Sequence, residues 1–214
     1  MQLAFLTTAL VTAVTVLIFY LTARALAYSQ TVSTVAALAL GLGTLLWPYA
    51  QMLFGEPLAA LGVALALLAI AGLWRSLQWQ WFFLCGVGSA MLVLSRTANV
   101  LLVIPFMVAL AYRTWLDWRC QQNWRQLLTF ALAYGLPFGM PVLALILYNY
   151  VSFGTFFSFP TAEGEAFTTP IWIGVSGQLW SSGKGLVFYV PLAFMIFLSI
   201  VVDLQKMKNP IYLT

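Results

Sequence analysis

The feature that most limits the fold of this chain is its series of long apolar stretches. One of them, EPLAALGVALALLAIAGLW at residues 56–74, has no charged side chain after its first residue. A helix of about 20 apolar residues crosses the hydrocarbon core of a bilayer and satisfies its own backbone hydrogen bonds there. Only 7% of the 214 residues are charged, whereas about a quarter are charged in an average soluble domain. We therefore predict an all-α, polytopic integral membrane protein.

Seven stretches have the length and composition of a transmembrane helix. They lie at residues 3–23, 31–49, 56–74, 79–95, 98–115, 126–150 and 186–203. The first has no basic segment before it and is long enough to span, so it is predicted to be a membrane helix and not a cleavable signal. Pro137 and Pro141 fall within the sixth stretch and are expected to kink it. Residues 151–185 are predicted to form a long extracytoplasmic loop within a single transmembrane domain, residues 1–214.

The basic residues predict the orientation of these helices. Cytoplasmic loops of membrane proteins carry an excess of Lys and Arg. If the N-terminus lies outside, seven of the nine basic residues fall in the cytoplasm. These seven are Arg24, Arg75, Arg113, Arg119, Arg125, Lys206 and Lys208. The basic residues form no continuous run, so nucleic acid is not an expected partner.

The two remaining cations, Arg96 and Lys184, fall on the outer side, each just before a predicted span. A charge at the membrane is costly unless it is paired or hydrated, and it therefore raises a functional hypothesis. One interpretation is that each side chain extends to lipid headgroups. The other is that both bind one anion, a lipid phosphate, with Arg96 as a bidentate donor and Lys184 as a point charge. Gly183 and Gly185 would let backbone N–H groups approach the same anion, although a flexible turn also explains them.

Glu56 is the third candidate on the outer side. It precedes Pro57, and an acid followed by proline is typical of a helix start, where the helix dipole favours negative charge. Alternatively, Glu56 is a metal ligand or a carboxylate that orients an acceptor. The nearby Trp47 and Tyr49 are either interface anchors or rings that stack on a sugar.

Several other kinds of site are excluded. The chain has no histidine, and its two cysteines, Cys85 and Cys120, lack the spacing of a metal site. Cys85 falls within a predicted apolar span and Cys120 in a basic loop, and no disulfide between them is predicted. The string SSGKGLVFYVP at residues 181–191 is not a phosphate-binding loop, because Gly185 stands where such a loop needs Ser or Thr. A divalent cation held by carboxylates is the one cofactor left to consider.

Four strings in order carry a resemblance to a known family. They are GTLLWPYAQMLFGEPLAALGVAL, LSRTANVLLVIP, LYNYVSFGTFFSF and LWSSGKGLVFYVPL. Together they resemble the bacterial glycosyltransferases of the GT-C superfamily that use polyprenyl-phosphate sugars, such as protein mannosyltransferases and aminoarabinose transferases. The resemblance implies a bacterial inner or plasma membrane location and transfer of a sugar from a lipid phosphate carrier at the outer face.

The resemblance also implies roles for individual residues. Arg96 and Lys184 match basic positions that meet the carrier phosphate, and Glu56 matches the acid of the family's EP string. Tyr49 and Tyr189 are then candidates for contact with the sugar. The family's catalytic aspartate in the first outer loop has no counterpart, because no Asp or Glu precedes Glu56.

The chain is therefore expected to begin several spans into the family pattern, with a partner chain as one source of the missing N-terminal helices. Two other functions stay open at this point. The first is a non-catalytic lipid-carrier binding protein or flippase-like transporter. The second is a structural membrane subunit without a ligand.

Overall fold

The computed structural model of the protein describes residues 2–52, 55–121, 123–156 and 170–181. Every regular element in these ranges is helical, and none of the described residues forms a strand. A 3-10 turn at Thr97–Asn99 precedes α6. The helices are α1 (Gln2–Ala25), α2 (Gln30–Leu42), α3 (Leu46–Tyr49), α4 (Glu56–Arg75), α5 (Trp79–Ser95), α6 (Val100–Gln121), α7 (Trp124–Phe153) and α8 (Ile171–Trp180).

Four helical segments are long and apolar enough to cross a bilayer. They are Leu6–Ala25, Glu56–Arg75, Thr97–Arg119 and Trp124–Phe153. The shorter helices α2 and α5 are also apolar. The predicted all-helical class is thus confirmed for the described residues, and these four segments support embedding in a membrane. The count of seven spans stays a prediction, and its last span, residues 186–203, lies outside the described residues.

Two predicted segments have a different helical structure from the one expected. The second predicted span, residues 31–49, is divided into α2 and the short α3. Pro48 explains where the division falls, because its missing N–H is tolerated in the first turn of α3 but would remove a hydrogen bond inside a continuous helix. The stretch predicted as a long loop, residues 151–185, contains α8.

Helix α7 is continuous over 30 residues and has a defined cap at each end. The side chain of Asn123 accepts a 3.1 Å hydrogen bond from the backbone N–H of Arg125, and Gly154 ends the helix with a left-handed φ of 70°. Pro137 and Pro141 lie inside the helix, which they do not interrupt. At about 1.5 Å per residue, α7 exceeds the thickness of a hydrocarbon core of about 30 Å.

The chain forms two compact units. The first comprises residues 1–41 and 46–160, and the second comprises residues 42–45 and 161–214, which include α8. Within the first unit, α1 packs on α4, α4 on α5, and α5 on α7, while α6 contacts α4 and α5. These helices hold the candidate site. Of the second unit, residues 42–45 and 170–181 are described.

Small residues bring α4 and α5 into backbone contact. A Cβ added at Gly62 would lie 2.6 Å from the carbonyl oxygen of Gly88, and a Cβ added at Gly88 would lie 2.5 Å from that of Gly62. Ala66 and Ala69 on the same helix are fully buried. Close approach at small residues is how membrane helices gain packing energy, because lipid gives them no hydrophobic force to associate.

Helix α5 packs on α7 in a similar way on its other face. A Cβ at Gly86 would lie 2.6 Å from the carbonyl oxygen of Tyr134. One turn away, the rings of Phe82 and Phe130 are stacked with centroids 4.3 Å apart. Helix α5 is therefore held on both sides, by α4 and by α7.

Five of the six arginines of the first unit collect at one of its ends. Arg75, the last residue of α4, donates a 3.3 Å hydrogen bond to the carbonyl oxygen of Arg24 near the end of α1. The guanidinium of Arg113 lies 6.0 Å from the ring centroid of Trp74. We call this the arginine-rich end, and it comprises Arg24, Arg75, Arg113, Arg119 and Arg125. The opposite end carries the start of α4, the end of α5 and the turn before α6.

Candidate functional site

A cavity of about 310 Å³ lies at the end of the first unit that is remote from the arginine-rich end. Its lining combines two charged side chains with two neutral polar ones. The residues that line it are Gly55, Glu56, Ala59, Ser95, Arg96 and Asn99. Glu56 and Arg96, which sequence analysis selected separately, therefore face one cavity. We refer to it as the Glu56–Arg96 cavity.

Glu56 is placed by the start of α4. It is the first residue of the helix, and Pro57 beside it is almost fully buried. Gly55 precedes it, and a Cβ there would lie 3.1 Å from the carbonyl oxygen of Ser95, so the start of α4 lies against the end of α5. The half-buried Glu56 side chain makes no hydrogen bond or ion pair with the described residues, which leaves its carboxylate oxygens open to a ligand.

Arg96 is the residue between the end of α5 and the 3-10 turn, and this junction fixes its backbone position. Its backbone is extended, with φ −163° and ψ 126°, and this directs the chain out of α5. Its N–H donates to the carbonyl oxygen of Leu92 at 3.3 Å, and its own carbonyl accepts from the N–H of Asn99 at 2.9 Å. The side chain is exposed, so the turn holds the backbone while the guanidinium is free to reach a ligand.

Ser95 and Asn99 stabilise this turn from inside the cavity. The Asn99 amide donates to the Ser95 hydroxyl at 3.1 Å and to the Leu92 carbonyl at 3.3 Å. The Ser95 hydroxyl donates to the same carbonyl at 2.7 Å. Neither residue was among the predicted site residues. A signal was present, because two polar residues four positions apart flank Arg96 between two apolar helices.

The charges of the Glu56–Arg96 cavity suit a ligand that has both an anionic group and a hydroxyl. Glu56 forms no ion pair with Arg96 or with any other cation of the described ranges, since no carboxylate oxygen lies within 4.0 Å of a cationic nitrogen. The two charges therefore do not neutralise each other directly. Arg96 offers a fork of donors to a phosphate or carboxylate, and Glu56 accepts hydrogen bonds only. The N-termini of α4 and α6 at this end also favour negative charge.

A divalent cation does not fit the cavity as these residues form it. The described residues contain no group of three or more His, Cys, Asp or Glu side chains that could share a metal ion. The cavity supplies one carboxylate, from Glu56, and the guanidinium of Arg96 would repel a cation. Oxygen-rich coordination by several ligands, which Mg²⁺ and Ca²⁺ require, is therefore not available from this set.

Of the other predicted site residues, Tyr49 alone falls within the described ranges. Tyr49 ends α3 and is half-buried, and it is not among the lining residues. Gly183, Lys184, Gly185 and Tyr189 lie outside the described residues. Their predicted roles stay predictions.

Comparison with known proteins identifies no relative of the chain. It matches no protein-family model, no curated protein and no solved structure. The likeness to lipid-linked sugar transferases therefore depends on the four strings quoted above.

Proposed function

We propose that the chain is a membrane glycosyltransferase, or part of one, that uses a polyprenyl-phosphate-linked sugar at the extracytoplasmic face. The observation that carries this proposal is the placement of Glu56 and Arg96 on one cavity at the end remote from the arginine-rich end. Under the positive-inside rule, the arginine-rich end lies in the cytoplasm and this cavity opens at the outer face. A carrier phosphate, whose polyprenyl tail stays in the bilayer, would meet Arg96 there.

The chemistry of sugar transfer uses the two charged residues differently. The bond between the sugar C1 and the phosphate oxygen breaks, and an acceptor oxygen forms the new bond to C1. The carrier phosphate leaves with increased negative charge, which Arg96 would stabilise. Glu56 would orient the acceptor by accepting a hydrogen bond from its hydroxyl. The acceptor hydroxyl would give up its proton to the departing carrier phosphate or to solvent as the new bond forms.

A non-catalytic carrier-binding or flippase-like protein would use the same cavity without breaking the C1–O bond. One experiment separates these functions. The full chain in nanodiscs is supplied with a polyprenyl-phosphate sugar and an acceptor, and both carrier binding and release of free polyprenyl phosphate are measured. Release that depends on the acceptor supports the transferase, binding without release supports the binding protein, and absence of binding overturns both.

The first prediction concerns Glu56. Glu56→Gln should lower acceptor-dependent release about tenfold, since a hydrogen bond to a charged group contributes about 1.5–3 kcal/mol, and it should leave carrier binding unchanged. Asp117→Asn is the matched control, because it removes a carboxylate at the arginine-rich end. If Glu56 only favours the helix start, its replacement changes stability by under about 1 kcal/mol and transfer is unaffected. That result would remove Glu56 from the site.

The second prediction concerns the proposed seven-span topology with the N-terminus outside. Residues 113–125 should be cytoplasmic and residues 151–185 external, because the opposite orientation would place seven cations outside. Arg119→Cys and Ser158→Cys, each in a background without Cys85 and Cys120, should react with an impermeant thiol reagent from opposite sides of the membrane. Reaction of both from the same side would contradict the topology.

A further inference from the structure

An apolar groove lies between α6 and α7 at the arginine-rich end, and Phe82 of α5 also lines it. Its volume is about 630 Å³, which is in the range of small-molecule sites. The two helices are consecutive in the chain, and both pack on α5. They also meet each other, since the amide of Gln126 donates a 3.4 Å hydrogen bond to Asp117 and the rings of Trp118 and Trp124 lie 5.9 Å apart. Phe82, Leu110 and Phe130 line the groove, and Trp115, Trp118 and Trp124 line it towards the arginines. We call it the aromatic groove.

The hydrophobic surface of the groove does not by itself select an occupant. In a bilayer the surrounding acyl chains are as apolar as the groove, so burial of an apolar chain gives little net energy. Polar groups at the opening of the groove must therefore determine which lipid binds. Two features of this opening point to an anionic lipid.

The first feature is positive charge without a counter-ion. The guanidinium of Arg119 lies 3.9 Å from the ring centroid of Trp115, and Arg125 directly follows Trp124. Among the described residues, no carboxylate forms an ion pair with either arginine within 4.0 Å. Asp117 is the acid nearest to both arginines in sequence. Its carboxylate accepts a 3.4 Å hydrogen bond from the side-chain amide of Gln126.

The second feature is a donor that lacks an acceptor. The indole Nε1 of Trp118 is buried and makes no hydrogen bond within the part of the chain that the structure describes. A buried N–H without a partner is costly, and buried polar groups in proteins almost always have one. Trp118 lines the groove, and a rotation of its indole ring would bring this N–H to an ester or phosphate oxygen of a ligand there.

We propose that the aromatic groove binds one anionic phospholipid from the leaflet at the arginine-rich end. An acyl chain lies along Phe82 and Phe130, the phosphate contacts Arg119 and Arg125, and a headgroup or ester oxygen accepts from the Trp118 indole. Basic pockets between membrane helices bind anionic headgroups by the same combination of charge and apolar depth. This site is separate from the Glu56–Arg96 cavity and does not depend on the proposed transferase activity.

The test is lipid retention measured by native mass spectrometry on the full chain, released from nanodiscs that contain equal amounts of phosphatidylglycerol and phosphatidylcholine. The wild type should retain one phosphatidylglycerol in preference to phosphatidylcholine. Arg119→Gln and Arg125→Gln should each lower that preference about fivefold, since a basic residue near the membrane contributes about 1 kcal/mol to anionic lipid binding. Trp118→Phe, which keeps a ring but removes the N–H, should lower retention of phosphatidylglycerol as well.

The control is the double variant Arg24→Gln and Arg75→Gln, which removes two charges at the same end but none at the groove. It should retain phosphatidylglycerol as the wild type does. Equal retention of the two lipids by the wild type would overturn the proposal, and so would an equal loss in the control and in the groove variants.

A measurement that needs no variant is the salt dependence, because raised ionic strength should weaken the preference of the wild type for phosphatidylglycerol. A preference that salt does not change would also overturn the proposal.

Discussion

Gly88→Leu should lower the free energy of unfolding by about 3 kcal/mol, which is the upper part of the range for overpacked sites. The reason is that even a Cβ at Gly88 would lie 2.5 Å from the carbonyl oxygen of Gly62, and this neighbour is helix backbone that cannot turn aside. The longer side chain would force α4 and α5 apart along their whole contact. Thermal or denaturant unfolding in detergent micelles, followed by circular dichroism, measures the loss.

Gly139→Leu is the matched control for this prediction. Gly139 also lies inside a helix, but a Cβ there would meet nothing within 4 Å among its neighbours. Because leucine is a better helix former than glycine, this change should raise stability or leave it unchanged, within about 1 kcal/mol. Similar losses in the two variants would show that the contact of α4 with α5 is not limited by the small residues at Gly62 and Gly88.

The prediction with the largest effect on ligand binding concerns Arg96 and Lys184. If both hold one carrier phosphate, Arg96→Gln and Lys184→Gln should each weaken the binding of a polyprenyl phosphate about tenfold to a hundredfold. A charge-assisted hydrogen bond contributes that much, and the exposed Arg96 guanidinium has no ion pair among the described residues to compete with the phosphate. Titration of the full chain in nanodiscs measures the affinities.

The double variant decides whether the two cations share a ligand. Two residues that contact the same group do not contribute independently, so the two losses should be coupled and the double variant should differ from their sum. Arg24→Gln at the arginine-rich end is the control and should bind the carrier as the wild type does. Strictly additive losses would place Arg96 and Lys184 at separate sites. Unchanged affinity in either single variant would mean that its cation only extends to the headgroups.

The positions of individual helices were largely predictable from local sequence. The predicted spans at residues 56–74 and 79–95 agree with α4 (Glu56–Arg75) and α5 (Trp79–Ser95) within one residue at each end. Polar or charged residues border both runs, and hydropathy reports such borders directly. The span predicted at residues 31–49 was less accurate, because hydropathy does not register the missing N–H of Pro48.

The candidate site was predictable in part. Glu56 and Arg96 are charged residues in an apolar chain, and such residues stand out in any sequence. Ser95 and Asn99 do not stand out, because their hydrogen bonds become visible only when the turn after α5 is folded. The aromatic groove could not be predicted, since its tryptophans have the composition of ordinary interface anchors.

The sequence by itself determined that the described chain is helical and that its charges are unevenly distributed, because both properties follow from local composition. Only the tertiary structure decided which residues meet. Glu56 and Arg96 share a cavity because α4 and α5 pack in opposite directions through Gly62 and Gly88, which brings the start of one helix to the end of the other. Hydropathy is a property of each segment alone. The pairing of two helices depends on how well their surfaces fit, and this fit cannot be calculated from the sequence of one helix.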